Sequence, residues 1–262
     1  MLIVLKYGGN AMGEPGRPDP LLDDIAARAR AGDRIVLVHG GGPQIDAALA
    51  ERSLVTERIE GQRVTDAATL HVTEAVLCGN VNKALVRALA ARGVAAAGVS
   101  GQDGSLLEAR RLASGSGAAL GFVGEIVHVH PQMLAALLAA GFVPVVAPLG
   151  IEIGSEHALN INADASAGAI AGALEADAYI VVTNVERVRR VRDDPSSGIP
   201  RLSSAQARAY LDDGTFADGM RPKIRSALDA LAAGARSAIV CGSGVGALSA
   251  ALAGNGTVIT DG

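Results

Sequence analysis

The sequence predicts an α/β protein whose mainly parallel sheet is covered by helices on both faces, and three observations support this prediction. Short β-branched runs, apolar along most of their length, occupy residues 2–7, 34–40, 141–148, 178–185 and 236–242. Ala- and Leu-rich stretches with helical patterning separate most of them, at residues 20–32, 66–93 and 164–176. Glycines follow several of the runs. Fully apolar strands that alternate with helices are typical of a parallel sheet buried on both faces, which is a doubly wound architecture.

Composition permits a large core and excludes some partners. The chain has 262 residues, 49% of them hydrophobic, which suits one large domain or two closely joined lobes, with a weak break near residue 173. A net charge of -4, 2% aromatic residues and no Trp leave little surface for nucleic acid.

Cysteine usage and the N-terminus predict a cytoplasmic protein. Cys78 and Cys241 are too few for a disulfide framework and neither belongs to a CxxC pair, so we expect small core residues. The opening "MLIVLKYGGN" places a cation and two glycines where an export signal needs a longer apolar run.

One uncharged segment, residues 133–151, is long enough to suggest a membrane span. Gly141, Pro144 and Pro148 divide it, so we predict a short helix followed by a strand and no membrane contact.

Two glycine-rich loops are candidates for binding an anion. Gly8 and Gly9 follow the first predicted strand, and residues 40–42 follow the second, just before Pro43 and an amphipathic run. Such a loop at a helix start offers free N–H groups to a phosphate or carboxylate, although each loop alone is also consistent with a tight turn. No GxxxxGK[ST] occurs, and "VCGSGVGA" has the wrong glycine spacing for a dinucleotide fingerprint.

Lysine is rare in this chain. Lys+Arg total 23, and only Lys6, Lys83 and Lys223 are lysines. A compact ammonium differs from a planar guanidinium, so retained lysines are candidates for chemistry. Lys6 ends the first predicted strand, Lys223 follows "DGMRP", and Asp164 lies at the start of a predicted helix. Two ammonium groups with a carboxylate that orients them would suit phosphoryl transfer.

Ordered motifs over almost the whole chain, "KYGGNAM", "VHGGGPQI", "RVTD", "VNKALV", "NINAD", "PVVAPLG" and "GMRPK", resemble the amino acid kinase family. The match is closest to the members that phosphorylate N-acetyl-L-glutamate. The resemblance implies a three-layer αβα sandwich, an N-terminal lobe at 1–173 for the amino acid and dimerisation, and a C-terminal lobe at 174–262 for ATP with Mg²⁺. It also implies transfer of the γ-phosphoryl group to a side-chain carboxylate, in arginine biosynthesis.

The resemblance further implies residue roles. Lys6 and Lys223 would stabilise the transition state, and Asp164 would orient them. The remaining site residues fall into three groups: Gly8 and Gly9 for phosphate; Gly41, Gly42, Arg63 and Asn160 for the amino acid; Thr183, Asn184, Gly219, Met220 and again Lys223 for the nucleotide. Two simpler roles stay open, namely Arg63 as a solvated surface cation and Asp164 as a helix N-cap.

Three departures fall on the nucleotide side, where the family usually has an acid at the position of Asn184 and glycines at those of Arg187 and Asp218. Asn184 also resembles kinases that act on carrier-linked aminoadipate or glutamate, which is the main alternative. A nonenzymatic sensor on the same fold is a lesser alternative, disfavoured because Lys6, Asp164 and Lys223 are all present.

Assembly and metal binding are also matters of expectation. The segment around Lys83 belongs, by resemblance, to a helix that pairs two subunits, so we expect a homodimer, with Lys83 itself at the surface or interface. Lys6 leaves no room for the N-terminal helix of arginine-inhibited members, so we expect neither a hexamer nor arginine feedback.

No third ligand accompanies His128 and His130, so no metal site is predicted.

Overall fold

The computed structural model of the protein describes residues 1–8, 12, 19–216 and 219–261. The strands are β1 Leu2–Tyr7, β2 Arg34–His39, β3 Arg58–Ile59, β4 Gln62–Arg63, β5 Ala96–Ser100, β6 Leu107–Arg111, β7 Val123–Val129, β8 Val143–Ala147, β9 Leu149–Glu152, β10 Ala158–Ile161, β11 Ala178–Val182, β12 Arg201–Ser203, β13 Ala238–Cys241 and β14 Thr257–Thr260. The helices are α1 Pro20–Arg30, α2 Gly42–Glu51, α3 Ala67–Glu74, α4 Asn82–Ala90, α5 Gln132–Ala139, α6 Ala163–Ala173, α7 Ser204–Asp212, α8 Met220–Ala232 and α9 Ala247–Leu252. A π-helical segment, Ala75–Val81, joins α3 to α4 without a break.

The central sheet has eight strands in the order β12-β14-β13-β11-β1-β2-β8-β5. Its pairs are parallel except for β13 with β14, which is antiparallel. The five strands that the sequence predicts are five consecutive neighbours in this order, from β13 to β8. The mainly parallel sheet is therefore confirmed, and the strands missed by the sequence pattern lie at its two edges.

Helices cover both faces of the sheet. All six residues of β1 are buried, and its side chains alternate between the two faces. Leu2 and Val4 pack in one hydrophobic cluster with residues of α6 and α8, whereas Ile3 and Leu5 pack in a second cluster with residues of α1 and α2. The three-layer αβα sandwich is confirmed. By the same alternation, Lys6 lies on the face that α6 covers.

A small closed barrel lies beside the sheet and was not predicted. Its strands run β10-β7-β6-β9, with β6/β7 and β9/β10 antiparallel and the other two pairs parallel. A Cβ atom at Gly150 would come within 2.6 Å of Ile161 and 2.8 Å of the Leu107 carbonyl, so a side chain there would not fit inside the barrel. Strand β10 leads directly into α6, which places Asn160 and Asp164 on adjoining elements.

The uncharged segment at 133–151 forms most of α5, all of β8 and the start of β9, as the glycine and the prolines predict. Among the helices of the described ranges, none has the length and apolar character that crossing a bilayer demands.

Candidate active site

A cleft of about 890 Å³ opens at the carboxyl ends of the central strands. It is lined by every predicted site residue that the structure describes, namely Lys6, Gly8, Gly41, Gly42, Arg63, Asn160, Asp164, Thr183, Asn184, Gly219, Met220 and Lys223. Gly9 and Asp218 lie outside the described residues. Sequence segments more than 200 residues apart therefore meet in one place, as the predicted roles require.

Lys6, Asp164 and Lys223 are in direct contact. Lys6 Nζ lies 2.9 Å from Asp164 Oδ1, and Lys223 Nζ lies 3.2 Å from Asp164 Oδ2. Lys6 stands near the end of β1, Asp164 in the first turn of α6 and Lys223 in the first turn of α8. One carboxylate thus holds two ammonium groups, one from each side.

Burial makes this contact electrostatically strong. The side chains of Lys6 and Asp164 are each 7% exposed, and that of Lys223 is 17% exposed. Burial lowers the pKa of Lys6, and the charge of Lys223 adds to this effect against the opposing pull of Asp164. Burial alone would raise the pKa of Asp164, but the two ammonium groups together hold it below its usual value. Asp164 is therefore an ionised carboxylate in neutral solution.

Hydrogen bonds to the side chain of Asn162 fix the backbone around Asp164. The side chain of Asn162 accepts hydrogen bonds from the N–H groups of Asp164 and Ala165, at 2.8 and 3.2 Å. Asn162 is thus the N-cap of α6, and the simpler reading of Asp164 as that cap is wrong, because Asp164 lies inside the first turn with its carboxylate turned to the lysines. An Asn two residues before an acid at a helix start is a signal that sequence reasoning missed.

Tyr179 connects the helices that carry Asp164 and Lys223. Its hydroxyl lies 3.1 Å from the Asp164 carbonyl and 3.0 Å from Ser226 Oγ, and Ser226 Oγ lies 2.9 Å from the Lys223 carbonyl. Tyr179 is fully buried on β11, the strand next to β1. Neither Tyr179 nor Ser226 was predicted, since an apolar strand pattern does not reveal where a tyrosine hydroxyl is directed.

The glycines of the two loops give access to the charged groups. A Cβ atom at Gly8 would lie 3.1 Å from Lys6 Nζ, so a larger residue there would press on the ammonium group. Gly41 is the N-cap of α2 and Gly42 its first residue, with Pro43 next. A Cβ atom at Gly41 would lie 2.6 Å from Leu77. The positive end of α2 therefore lies at the wall of the cleft.

Arg63 lines the cleft and is buried, so the reading of it as a solvated surface cation is wrong. Its Nη1 lies 2.6 Å from Oδ1 of Asp46, and Arg58 Nη2 lies 3.4 Å from Oδ2 of the same carboxylate. Burial would raise the pKa of Asp46, but hydrogen bonding and charge from Arg63, together with Arg58, lower it. Asp46 and Arg58 were not predicted, because their positions on α2 and β3 carry no motif.

Asn160 lies on β10 and is oriented by Thr65. Its Nδ2 donates to Thr65 Oγ1 at 3.2 Å, and Thr65 Oγ1 donates to the Arg63 carbonyl at 2.7 Å. Thr65 is completely buried. The amide of Asn160 is thus tied through Thr65 to the backbone of Arg63, whereas the Arg63 guanidinium is held by Asp46.

The residues predicted for the nucleotide line the same cleft. Thr183 is buried after β11 and donates to Asn184 Oδ1 at 3.2 Å, while Asn184 is exposed. Arg187 lies beside Gly198 and does not line the cleft. Arg189 and Arg192 line it instead, two and five residues further along.

Among the residues that the structure describes, Asp46, Asp164 and Asp193 are the carboxylates that line the cleft, and the first two are paired with cations. Asp164 contacts two lysines and Asp46 two arginines. Within the described ranges, no group of three or more His, Cys, Asp or Glu side chains could hold a metal ion, and His130 pairs with Glu108 at 3.2 Å. Mg²⁺ that is bound together with a nucleotide is commonly held by phosphates and one or two carboxylates, and the donors of this cleft fit such a cation.

The model of the amino acid kinase family matches residues 1–242, and the chain belongs to that family. Its relatives include acetylglutamate kinase from Parasynechococcus marenigrum, which is 44% identical over 236 residues, covering 90% of this chain and 80% of the relative. The chloroplastic acetylglutamate kinase of Arabidopsis thaliana is 41% identical over 238 residues, covering 91% of this chain and 68% of the relative.

Solved structures share the fold. The structure of smu.665 from Streptococcus mutans has a TM-score of 0.81 and 28% identity, covering 100% of this chain and 99% of that one. N-acetylglutamate synthase from Neisseria gonorrhoeae, complexed with coenzyme A and N-acetyl-glutamate, has a TM-score of 0.83 and 25% identity. That match covers 99% of this chain and 59% of the synthase.

Proposed function

We propose that this protein is an N-acetyl-L-glutamate kinase, which transfers the γ-phosphoryl group of ATP to the side-chain carboxylate of N-acetyl-L-glutamate. The observation that carries the proposal is the position of Lys6, Asp164 and Lys223 in the same cleft as a buried arginine and the Thr183 loop. Relatives that are acetylglutamate kinases, at 41% and 44% identity over about nine-tenths of this chain, support the choice of substrate.

In this reaction a carboxylate oxygen of the substrate attacks the γ-phosphorus, and the bond from phosphorus to the ADP oxygen breaks. The products are an acyl phosphate and ADP. A glutamate carboxyl has a pKa of about 4.3 and is already ionised, so the reaction needs no general base. This fits a site whose buried carboxylate is held by two lysines.

The two ammonium groups supply what the transition state requires. Negative charge spreads over the transferred group and onto the leaving oxygen, and fixed cations in a poorly solvated site stabilise it. Lys6 on β1 and Lys223 on α8 contact different oxygens of Asp164. We assign one to each side of the migrating group, with Asp164 holding both in place.

The substrate is held by groups that match its polar ends. Arg63 would bind the α-carboxylate, since a guanidinium offers two parallel N–H donors. Asn160, oriented by Thr65, would bind the acetylated amine. Gly8, Gly41 and Gly42 would offer N–H groups to phosphoryl oxygens and substrate.

ATP enters as its Mg²⁺ complex and occupies the part of the cleft that is lined by Thr183, Asn184, Gly219 and Met220. In this proposal residues 1–173 form the amino-acid lobe and 174–262 the ATP lobe, a boundary that falls at the end of α6. Arg189 and Arg192 replace Arg187 as the cations that affect nucleotide affinity, because they line the cleft.

We also propose a cytoplasmic homodimer. Strand β5 is the edge of the central sheet nearest α4, and four of its five residues are only half-buried. An edge strand leaves backbone groups for another chain to cover. Sedimentation equilibrium at micromolar concentration would give twice the chain mass, and a single-chain mass would discard the dimer.

The test is ADP release with Mg-ATP and, in turn, N-acetyl-L-glutamate, free glutamate and N-acetyl-aminoadipate. We expect robust turnover with N-acetyl-L-glutamate and little with the other two. Glu156→Gln, at an exposed position, is the matched control for the catalytic variants discussed below. Turnover with none of the free acids would reject the proposal and point to a carrier-linked substrate.

A further inference from the structure

The side chains of His39, Asn82 and Lys83 form a hydrogen-bonded network next to the second glycine loop. His39 is the last residue of β2 and is completely buried. Its Nδ1 lies 2.8 Å from the Gly40 carbonyl, and its Nε2 lies 3.3 Å from Nδ2 of Asn82, which is also buried. Lys83 Nζ lies 3.2 Å from Asn82 Oδ1 and 2.9 Å from the Gly98 carbonyl.

The donors and acceptors in this network follow from the chemistry of its two terminal groups, the Lys83 ammonium and the Gly40 carbonyl. The ammonium of Lys83 only donates, so Asn82 presents its oxygen to Lys83 and its NH₂ group to His39. The Gly40 carbonyl only accepts, so Nδ1 of His39 carries the proton and Nε2 accepts from Asn82. Burial lowers the pKa of His39 to about 4, which keeps this neutral tautomer at physiological pH.

Asn82 also anchors this hydrogen-bonded network to the central sheet. Its Nδ2 donates to the Val145 carbonyl on β8 at 2.8 Å and lies 3.2 Å from the Val99 carbonyl on β5. Helix α4 thereby holds the imidazole of His39 against two neighbouring strands. The ring has little freedom to turn, because both of its nitrogens are engaged.

The position of the Gly40 carbonyl matters because that carbonyl and the Gly41 N–H belong to one peptide unit. The unit is planar and trans, so its C=O and N–H point in opposite directions. A hydrogen bond from His39 Nδ1 to the Gly40 carbonyl therefore also sets the direction of the Gly41 N–H. The Gly40 N–H is itself held, since it donates to the Tyr7 carbonyl at 2.8 Å.

We propose that His39 is a positioning residue for the phosphoryl transfer, holding the Gly40–Gly41 peptide so that the Gly41 N–H serves the reacting groups, with Asn82 fixing the imidazole. This rests on the proposed function for the reaction, but the geometry it asserts belongs to the free protein. His39 touches no substrate and acts through the loop.

Two substitutions of His39 separate this role from simple packing. In His39→Asn the side-chain NH₂ group can take the place of Nδ1 and still donate to the Gly40 carbonyl, whereas the contact with Asn82 is lost. In His39→Gln the amide reaches the place of Nε2 and keeps the contact with Asn82, whereas the donor to Gly40 is lost. His128→Gln, at an exposed position on β7, is the matched control.

We expect kcat on N-acetyl-L-glutamate to fall about 10- to 100-fold in His39→Gln, since small misplacement of a catalytic group costs factors of this size. His39→Asn should stay within about threefold of the wild type, and KM for ATP should change little in either variant. If both variants lose activity in proportion to their loss of folding stability, His39 is structural and the proposal is overturned. Equal and full activity in both would also overturn it.

A second measurement keeps the inference independent of the substrate. In ¹⁵N spectra of the free protein, the His39 ring should show the Nδ1-protonated tautomer, and the Gly41 amide should move in His39→Gln but not in His39→Asn. The opposite tautomer, or a Gly41 signal that moves equally in both variants, would reject the inference. Absence of wild-type turnover together with the expected spectra would reject only the proposed function.

Discussion

Lys6 and Asp164 form a buried ion pair, with 2.9 Å between Nζ and Oδ1, and this pair is closed on its other side by Lys223. Two lysine charges on one carboxylate leave a net positive charge in a cleft lined by glycine loops. Such a site is complementary to a phosphoryl group in transfer, which brings the missing negative charge.

Asp164→Asn should impair both folding and catalysis. It leaves two ammonium groups without a counter-charge in a buried site, and breaking a buried ion pair by removing one partner costs about 3–5 kcal/mol of unfolding free energy. We expect kcat to fall at least about 100-fold, a loss comparable to removing a preorganised electrostatic group. Urea denaturation and initial-rate measurements would give the two quantities.

Glu156→Gln removes a carboxylate from an exposed position and should change neither the unfolding free energy nor kcat. A wild-type rate in Asp164→Asn, measured where the variant is fully folded, would show that the carboxylate only stabilises the fold.

The pH dependence follows from the directions of the pKa shifts. The pKa of Lys6 is lowered from 10.5, chiefly by burial, so Lys6 loses its proton at a lower pH than an ordinary lysine. In the proposed mechanism only the ammonium form of Lys6 stabilises the transition state, so kcat should fall on the alkaline side before an exposed lysine would titrate. In Lys6→Arg this alkaline limb should move to higher pH, since guanidinium does not titrate there.

At acid pH the group that matters is Asp164, and its effect is on folding stability. The pKa of Asp164 is lower in the folded protein than the usual value of 3.8, so its ionisation contributes stability that is present above that value. This stability is lost as pH falls through the folded pKa. Measuring kcat from neutral pH to pH 10 would test the alkaline prediction. Unfolding curves from pH 6 downward would test the predicted loss of stability in acid. An alkaline limb that is unchanged in Lys6→Arg would assign it to another group.

Arg63→Lys should weaken substrate binding more than chemistry. Arg63 is buried and holds Asp46 at 2.6 Å, and a lysine at this position keeps the charge but loses the paired donors. We expect KM for N-acetyl-L-glutamate to rise about 10- to 100-fold, the factor for one or two charge-assisted hydrogen bonds, with a smaller change in kcat. Arg58→Lys, at the more exposed arginine on the same carboxylate, is the comparison and should have a smaller effect.

Steady-state kinetics at saturating ATP would separate the two parameters. A larger loss in kcat than in KM for Arg63→Lys would place Arg63 at the reacting end of the substrate.

The strands next to the site could be predicted from the sequence, whereas the elements at the edges could not. Residues 2–7 and 34–40 are apolar along most of their length because β1 and β2 are buried on both faces, and that pattern is unmistakable. Strand β6 reads "LEARR", with charges on a half-exposed barrel, and gives no such pattern. Short strands of this kind depend on tertiary pairing more than on their own sequence.

The same distinction holds in the site. Lys6, Asp164 and Lys223 could be found because they stand in motifs at the end of a strand or at helix starts. The contacts of Tyr179, Thr65 and the pair Arg58–Asp46 could not be predicted, although Thr65 stands in the motif "RVTD", because they depend on which group each side chain meets across the fold. Asn162 is an intermediate case, since an N-cap can be read from local sequence.

The close packing of α6 against α8 gives the last prediction. These helices carry Asp164 and Lys223, and a Cβ atom at Gly168 would lie 2.5 Å from the Ser226 carbonyl. Because backbone cannot yield as a side-chain end can, Gly168→Ala should push the helices apart, with a cost of about 1–3 kcal/mol in unfolding free energy. Separation also weakens the link through Tyr179 and Ser226, so kcat should fall about 10-fold or more while KM for both substrates changes little.

Gly244→Ala is the matched control, because Gly244 is exposed and its Cβ would meet no atom within 4 Å. It should be as stable and as active as the wild type. Thermal unfolding and initial rates of both variants, measured side by side, would decide the matter. If Gly168→Ala were destabilised but kept full kcat, the spacing of α6 and α8 would support the fold without setting the distance between Asp164 and Lys223.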